Sequence, residues 1–223
     1  NDIYIAMAGP HKIWKMPLDE SEIGPYAGSG REDIIDGELL PRVPYAEGYS
    51  TFAQPSGLAS DGTWLYVADS EGSSIRAVPF DPKKKVETVV GTAHLRFGRL
   101  FEFGDIDGKG NVVRLQHPLG VAWRDGLLYV ADTYNNKIKV IDLENRECRT
   151  LVGDGRRGSG NDPPQFNEPA GVSVVGDKLY VADTNNHQIR VIDLTTNEVS
   201  TLSIEGLTPP RPRDENVDAE AEA

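Results

Sequence analysis

Three short segments of this chain are one segment written three times. Leu65 to Asp69, Leu128 to Asp132 and Leu179 to Asp183 all read Leu-Tyr-Val-Ala-Asp. Each begins eight residues after the glycine of a Pro-x-Gly, namely Gly57, Gly120 or Gly171. Six residues beyond each Asp stands an isoleucine: Ile75, Ile138 or Ile189. Constant spacing within copies, with variable lengths between them, marks a repeated structural unit.

The copy from Leu115 to Gly153 shows what the unit is. Leu115 lies three residues before Pro118, as Phe52 does before Pro55 and Phe166 before Pro169. Proline fixes its own φ and donates no ladder bond, so it belongs at the entrance of a strand, here continuing into Gly120-Val121-Ala122. Arg124-Asp125-Gly126 reads as a hairpin turn. Leu128 to Ala131 is a second strand, with the aromatic and β-branched content of a pleated, half-buried surface. Asp132-Thr133-Tyr134-Asn135-Asn136 turns the chain, because Asp and Asn side chains bond their own backbone and Asn tolerates the left-handed region. Ile138 to Ile141 is a third strand and Cys148 to Val152 a fourth. Four antiparallel strands in about forty residues make one propeller blade, and stacking blades around an axis buries the face that a single sheet would expose.

The rest of the composition fits this architecture. A chain of 223 residues with 23 Gly, 15 Pro and 38% hydrophobic content suits short strands and tight turns more than long helices. No run of eighteen apolar residues occurs, so no transmembrane helix is encoded. A net charge of −12 argues against nucleic acid and anionic membrane as partners, since both reward a basic surface. The lone cysteine, Cys148, cannot form an internal disulfide or a CxxC pair, and its alternating neighbours read as an ordinary strand.

A further, partial copy opens the chain. Tyr4-Ile5-Ala6 aligns with Tyr66-Val67-Ala68, Ile13 keeps the spacing, and Met7 replaces the repeated Asp. Ile23 to Gly28 matches the fourth strand, and the first strand is missing. The signature pieces, Pro-x-Gly-Val, Leu-Tyr-Val-Ala-Asp-Thr, Asn-His-Gln-Ile-Arg-Val-Ile-Asp and a closing Thr-Leu, resemble NHL repeats across 1–204. The stretch Ala6-Met7-Ala8-Gly9-Pro10-His11-Lys12-Ile13-Trp14 resembles the family of NHL-repeat-containing protein 2 and its bacterial relatives. That resemblance implies an all-β, six-bladed propeller following a thioredoxin-like domain. Here three complete blades and one partial blade are expected, in pieces of about 1–28, 52–91, 115–153 and 166–204, with no thioredoxin-like domain. The remaining blades then come from another segment or chain. The tail, 205–223, is Pro-rich and then acidic, and reads as a linker with room for a short helix from Asn216.

Alternating strand direction places the repeated Asp69, Asp132 and Asp183 on the same face as the long links 29–51, 92–114 and 154–165, and leaves only short hairpins opposite. Binding usually resides on long links held by a rigid scaffold. Arg96, Arg99, Arg156 and Arg157 are the binding candidates on that face, suited to an acidic partner. The three Asp residues are spread around a ring at turn starts, which suits turn stabilisation better than metal or acid–base chemistry. Asp105 and Asp107 have the alternation that begins a calcium loop, but Lys109 stands where a third ligand is expected. The glycine-rich run from Gly153 to Gly160 lacks the Lys-Ser/Thr and following helix of a phosphate site. His94, His117 and His187 fall in different blades or links, so a shared zinc ion is not the simpler reading. No Ser-His-Asp or Gly-x-Ser-x-Gly arrangement occurs.

The expectation is therefore a non-enzymatic scaffold binding a protein or small ligand on its long-link face, with no cofactor. The alternative is a metal-dependent propeller enzyme of lyase or lactonase type with a metal on the central axis. RNA binding, known for some NHL propellers, ranks last because the arginines of the links are matched by acids.

Overall fold

The computed structural model describes residues 2–41, 43 and 47–206. The expected tail lies almost wholly outside the described residues. Four antiparallel sheets follow one another along the chain. Blade I holds β1 (Asp2–Met7), β2 (Lys12–Pro17) and β3 (Gly24–Ala27). Blade II holds β4 (Pro55–Ser60), β5 (Trp64–Asp69), β6 (Ser74–Pro79) and β7 (Glu87–Val90). In blade III, β9 (Pro118–Arg124), β10 (Leu127–Asp132), β11 (Lys137–Asp142) and β12 (Glu147–Val152) are joined by a short outer strand, β8 (Gly108–Lys109), which the sequence pattern did not indicate. It is backbone from the long link that pairs with the otherwise open edge of β12. Blade IV holds β13 (Pro169–Val175), β14 (Lys178–Asp183), β15 (Gln188–Asp193) and β16 (Val199–Thr201).

The repeated segments fall on equivalent strands. Leu65, Leu128 and Leu179 lie on the second strands β5, β10 and β14, opposite Val78, Ile141 and Ile192 of the third strands. The Pro-x-Gly prolines open the first strands, each paired with the repeated Asp across a register shift. The Asp125-Gly126 turn has positive φ at both residues, the geometry that suits the twist of a two-residue hairpin. Blade I lacks the inner strand, as the sequence indicated.

Alternation along the strands gives every blade two apolar flanks. Tyr66, Ala68, Ile75 and Ala77 of blade II pack on Leu115, Val121, Leu128 and Val130 of blade III. Tyr129, Ala131, Ile138 and Val140 of blade III pack in turn on Phe166, Leu179 and Val181 of blade IV. Cys148 is buried in the first of these clusters, and burial pushes its thiol up to about 12, as befits a packing residue.

Polar contacts repeat between blades as regularly as the apolar ones. The residue four beyond Met7 or the repeated Asp has positive φ, and its side chain accepts the N–H of the residue preceding the next blade's proline. The pairs are Gln54 N–H to His11 Nδ1 at 3.2 Å, His117 N–H to Ser73 Oγ at 3.2 Å and Glu168 N–H to Asn136 Oδ1 at 2.9 Å. One residue beyond the Asp, Ser70 and Thr133 donate to the proline carbonyls of the next blade, Pro118 and Pro169, at 2.9 and 2.8 Å. On blade IV the corresponding His187 and Thr184 are exposed and make no such bond to a following blade among the described residues. On the same flank Ile189 is exposed and Tyr180, Ala182 and Val191 are half-buried, where Tyr129, Ala131, Ile138 and Val140 of blade III are buried.

The Pro-x-Gly glycines sit where first strands approach each other. A Cβ on Gly57 would come to 2.5 Å of the Leu119 carbonyl oxygen, and one on Gly120 to 2.0 Å of that of Ala170. At Gly171 the nearest atom would be Ala182 Cβ, at an ordinary 3.5 Å. Gly120→Ala is therefore expected to destabilise the protein by about 2 kcal/mol or more, because backbone must move to admit the methyl group. Gly171→Ala should stay within about 0.5 kcal/mol of the parent. Urea unfolding midpoints of the two variants check this, and equal midpoints would show that the strands do not approach as described.

Candidate functional site

Each repeated Asp is fully buried at the end of a second strand and serves as a tie. One carboxylate oxygen accepts the N–H of the residue sixteen positions earlier, in the entry segment of its own blade: Ala53 to Asp69 at 2.7 Å, Gln116 to Asp132 at 2.7 Å and Asn167 to Asp183 at 2.8 Å. The other oxygen is held from the turn that follows or from the third strand. Asn135 donates to Asp132 and Asn186 to Asp183, each at 2.8 Å. Arg76 and Arg190 donate to Asp69 and Asp183 at 3.1 and 3.2 Å. The turns after Asp132 and Asp183 are single 3-10 turns, Thr133–Asn135 and Thr184–Asn186, closed by Asn136 and His187 in the left-handed region. The role is wider than the turn stabilisation that the sequence suggests.

Seven residues on from each Asp, in the third strand, stands a cation; Arg76 and Arg190 pair with Asp69 and Asp183, whereas Lys139 pairs with the link carboxylates instead of Asp132. Arg76, Lys139 and Arg190 are fully buried. Their function is to lock the long links. Arg76 donates to the Thr51 and Ile35 carbonyls and to Asp36, at 2.8, 2.9 and 3.0 Å. Arg190 donates to the Gln165 and Gly160 carbonyls at 2.9 and 3.0 Å, and to Asn161 Oδ1 at 2.6 Å. Lys139 donates to Asp105 and Asp107 at 2.5 and 2.7 Å. The two guanidinium groups lie 5.3 Å from the ring centres of Phe52 and Phe166, the apolar residues ahead of the prolines. In blade III, where that residue is Leu115, the cation is a lysine. Arginine stands where an aromatic face is available and lysine where it is not, as the flat, weakly hydrated guanidinium demands. The sequence carried this signal as a recurring charge inside an apolar strand, Ile-Arg-Ala-Val, Ile-Lys-Val-Ile and Ile-Arg-Val-Ile, which a search for catalytic motifs passes over.

Blade I shows the same two places filled without charge. Met7 stands for the Asp and Trp14 for the cation, and the Trp14 indole N–H has no hydrogen-bond partner among the described residues.

The candidates from the sequence sort as follows. Asp105 and Asp107 accept the Lys139 ammonium, and Lys137 also donates to Asp105, so these carboxylates are held well below their usual range despite burial. Arg99 grips Asp33 through two nitrogens, at 2.5 and 2.9 Å, and pins link 92–114 to link 29–51. Arg157 reaches Glu168 at 3.3 Å. Arg96 is exposed beside Phe97, and Arg156 is exposed in the glycine-rich link. The four arginines are thus not brought together into one site. His117 stacks on Tyr134, with centroids 4.5 Å apart and planes 7° from parallel, and stands 3.6 Å from Glu71. Among the described residues, no three His, Cys, Asp or Glu side chains are grouped so as to hold a metal ion.

Burial lifts the Asp carboxyls. Asp69 is pushed up to about 6, moderated by Arg76, and Asp132 to about 7, moderated by Asn135 and the Gln116 N–H; Asp183 is raised as well. A carboxyl whose pKa is higher folded than unfolded binds its proton more tightly in the fold. The stability it contributes is present below the ordinary value of 3.8 and is lost as pH rises through about 7. The protein should therefore lose stability between about pH 4 and pH 7, and Asp132→Asn should flatten that slope. Thermal melts at a series of pH values test this, and an unchanged slope in the variant would place the titration elsewhere.

The buried ion pairs give a second expectation. Asp69→Met leaves Arg76 without its fully buried counter-charge, with only the half-exposed Asp36 remaining, and should cost about 3–5 kcal/mol. Asp69→Met with Arg76→Trp, the pair found in blade I, should cost less than the single change. A double-mutant cycle in urea measures the coupling, and additive losses would show that the two side chains act independently.

Comparison with known proteins accords with this architecture. The NHL repeat family profile matches residues 115–141 and 166–192. NHL repeat-containing protein 2 of Bos taurus is 45% identical over 227 residues, covering 92% of this chain, while the chain spans 30% of that protein. Among solved structures, an auxiliary nutrient binding protein from Bacteroides ovatus superposes with a TM-score of 0.60 at 16% identity, over 91% of this chain and 46% of the other. A streptogramin B lyase does so with a TM-score of 0.55 at 16% identity, over 93% and 52%. These two are similar in fold alone. The chain folds as consecutive β-propeller blades, the NHL repeat profile matches 115–141 and 166–192, and nearly all of this chain is similar to part of NHL repeat-containing protein 2.

Proposed function

We propose that this chain is part of a non-enzymatic propeller scaffold whose long-link face binds a protein or small ligand, within a larger thioredoxin-like/NHL fusion protein. The observation that carries the reading is the locking of the links. Arg76, Lys139 and Arg190 hold three separate links against the ends of the strands, while the opposite face has only hairpins. Irregular chain fixed by buried ionic contacts is pre-organised for recognition and loses little freedom on binding. The strand-end carboxylates that an enzyme of lyase or lactonase type would draw on are already engaged by backbone N–H groups and buried cations. The partly covered flank of blade IV, with exposed Ile189, His187 and Thr184, supports completion of the ring by further blades from another segment or chain. Nucleic acid fits poorly, because Arg99, Arg114 and Arg157 of the links each face a carboxylate.

Link 92–114 offers the test. The Thr92 hydroxyl donates to the Arg99 carbonyl at 2.7 Å and Asp33 holds the Arg99 side chain, so replacing 93–98 by a short Gly linker gives up the Arg99 bond to the Leu95 carbonyl and leaves these two ties in place. The shortened protein should keep its unfolding midpoint and lose at least about tenfold in capture of the partners held by the parent, an effect of about 1.4 kcal/mol. Undiminished capture by a folded variant would remove segment 93–98 from the binding surface.

A further inference from the structure

The groove between blades II and III on the long-link face has walls that folding does not require. Link 92–114 presents Phe101 and Phe103 to solvent, 78% and 53% exposed, and neither belongs to a hydrophobic core cluster. Facing them is the stacked pair His117 and Tyr134, from the entry of β9 and the turn after β10. The cavity is about 300 Å³, at the small end for a ligand pocket and adequate for one long side chain. Its rim carries Glu32 and Glu71.

The charge at this rim is uncompensated. Asp33 draws both nearby arginines, Arg99 at 2.5 Å and Arg31 at 3.8 Å. Arg114 lies 4.0 Å from Glu102. Glu71 has only the His117 imidazole, at 3.6 Å, and Glu32 has no ion pair among the described residues. Exposed aromatic faces beside free carboxylates, on a chain of net charge −12, suit a flat cation. A purely apolar occupant would desolvate those carboxylates without pairing them, and an anion would be repelled.

We propose that this groove binds an arginine side chain of a partner protein, its guanidinium stacked on an aromatic wall and paired with Glu71 or Glu32. The proposal rests on the long-link face being the binding face and names the chemistry that it selects. Sequence reading placed arginines of this chain in the role of the binding groups. The groove reverses that polarity, with the cation on the partner and the carboxylates here. A guanidinium satisfies both parts of the groove at once, since it stacks like an aromatic ring and offers a planar fork to a carboxylate.

The experiment uses the peptide acetyl-Gly-Arg-Gly-amide and its citrulline counterpart, a neutral side chain of nearly the same shape, titrated into the protein and followed by NMR. The arginine peptide should bind at least about tenfold more tightly than the citrulline peptide, and more weakly as salt is raised. Glu71→Gln and Phe101→Ser, both at solvent-exposed side chains, should each lower its affinity about threefold to tenfold, with the unfolding midpoint unchanged. Equal affinities for the two peptides would overturn the proposal. So would no binding of the arginine peptide at about 10 mM, or affinities indifferent to both substitutions. Should the 93–98 excision abolish partner capture while the arginine peptide fails to bind, the groove chemistry falls and the long-link face stands. If the excision leaves capture intact, the part assigned to 93–98 in the broader reading falls independently of the peptide result.

Discussion

A carboxylate buried at the end of a second strand and a cation buried in the third hold this architecture together. The Asp fixes the backbone that enters its own blade, and the cation seven residues later reaches the link arriving from the blade before. Removing two charges from water is expensive, and their mutual attraction only repays the cost when every remaining hydrogen-bonding group is also met. The Arg76 and Arg190 guanidinium ends come close to that condition, each bound to carbonyl oxygens, to a carboxylate and to a side-chain oxygen in the link, with a phenyl ring beneath. The same interaction therefore sets two things at once: the angle at which a blade begins and the shape of the loop above it.

Much of this was legible in the chain. The repeated Leu-Tyr-Val-Ala-Asp and its spacing to Pro-x-Gly identify strands, turns and their order, because a period of two in the strands and proline at their entrances are local rules. The pairing of faces between blades also follows, since Tyr66 and Tyr129 must point away from Leu65 and Leu128. The site was less legible. Arg99 reads in sequence as a free basic residue in a long link, and its engagement by Asp33 depends on how two links from different blades meet. Asp105 and Asp107 read as the beginning of a cation loop, and the cation they meet is the Lys139 ammonium, more than thirty residues away. Links of unequal length carry no period, so contacts between them are set by tertiary packing alone.

The differences among the blades are as informative as the repeat. Asp with Arg beside Phe, Asp with Lys beside Leu, and Met with Trp are three solutions to filling one volume beneath a link. The third removes charge altogether, which agrees with the finding that well-packed apolar groups can replace a buried ion pair at little cost. The Trp14 N–H has no partner among the described residues, while in blades II and IV the Thr51 and Gln165 carbonyls accept from Arg76 and Arg190. Those carbonyls belong to the segments entering the first strands of their blades.

The blade-to-blade contacts explain why the two faces of the molecule differ. On the hairpin face, neighbours meet through exposed pairs such as Arg124 with Asp177 at 2.9 Å, which contribute little to stability in water. On the link face they meet through His11, Ser73 and Asn136, each accepting a backbone N–H of the next blade, and through buried hydroxyls on proline carbonyls. Backbone held in this way brings residues from three segments to one place. His117 is clasped by Ser73 of the preceding blade and stacks on Tyr134 of its own, while link 92–114 supplies Phe101 opposite. A groove assembled from a clasp, a turn and a locked link keeps its shape without a ligand, which is the condition under which a few exposed aromatic and acidic side chains can discriminate between partners.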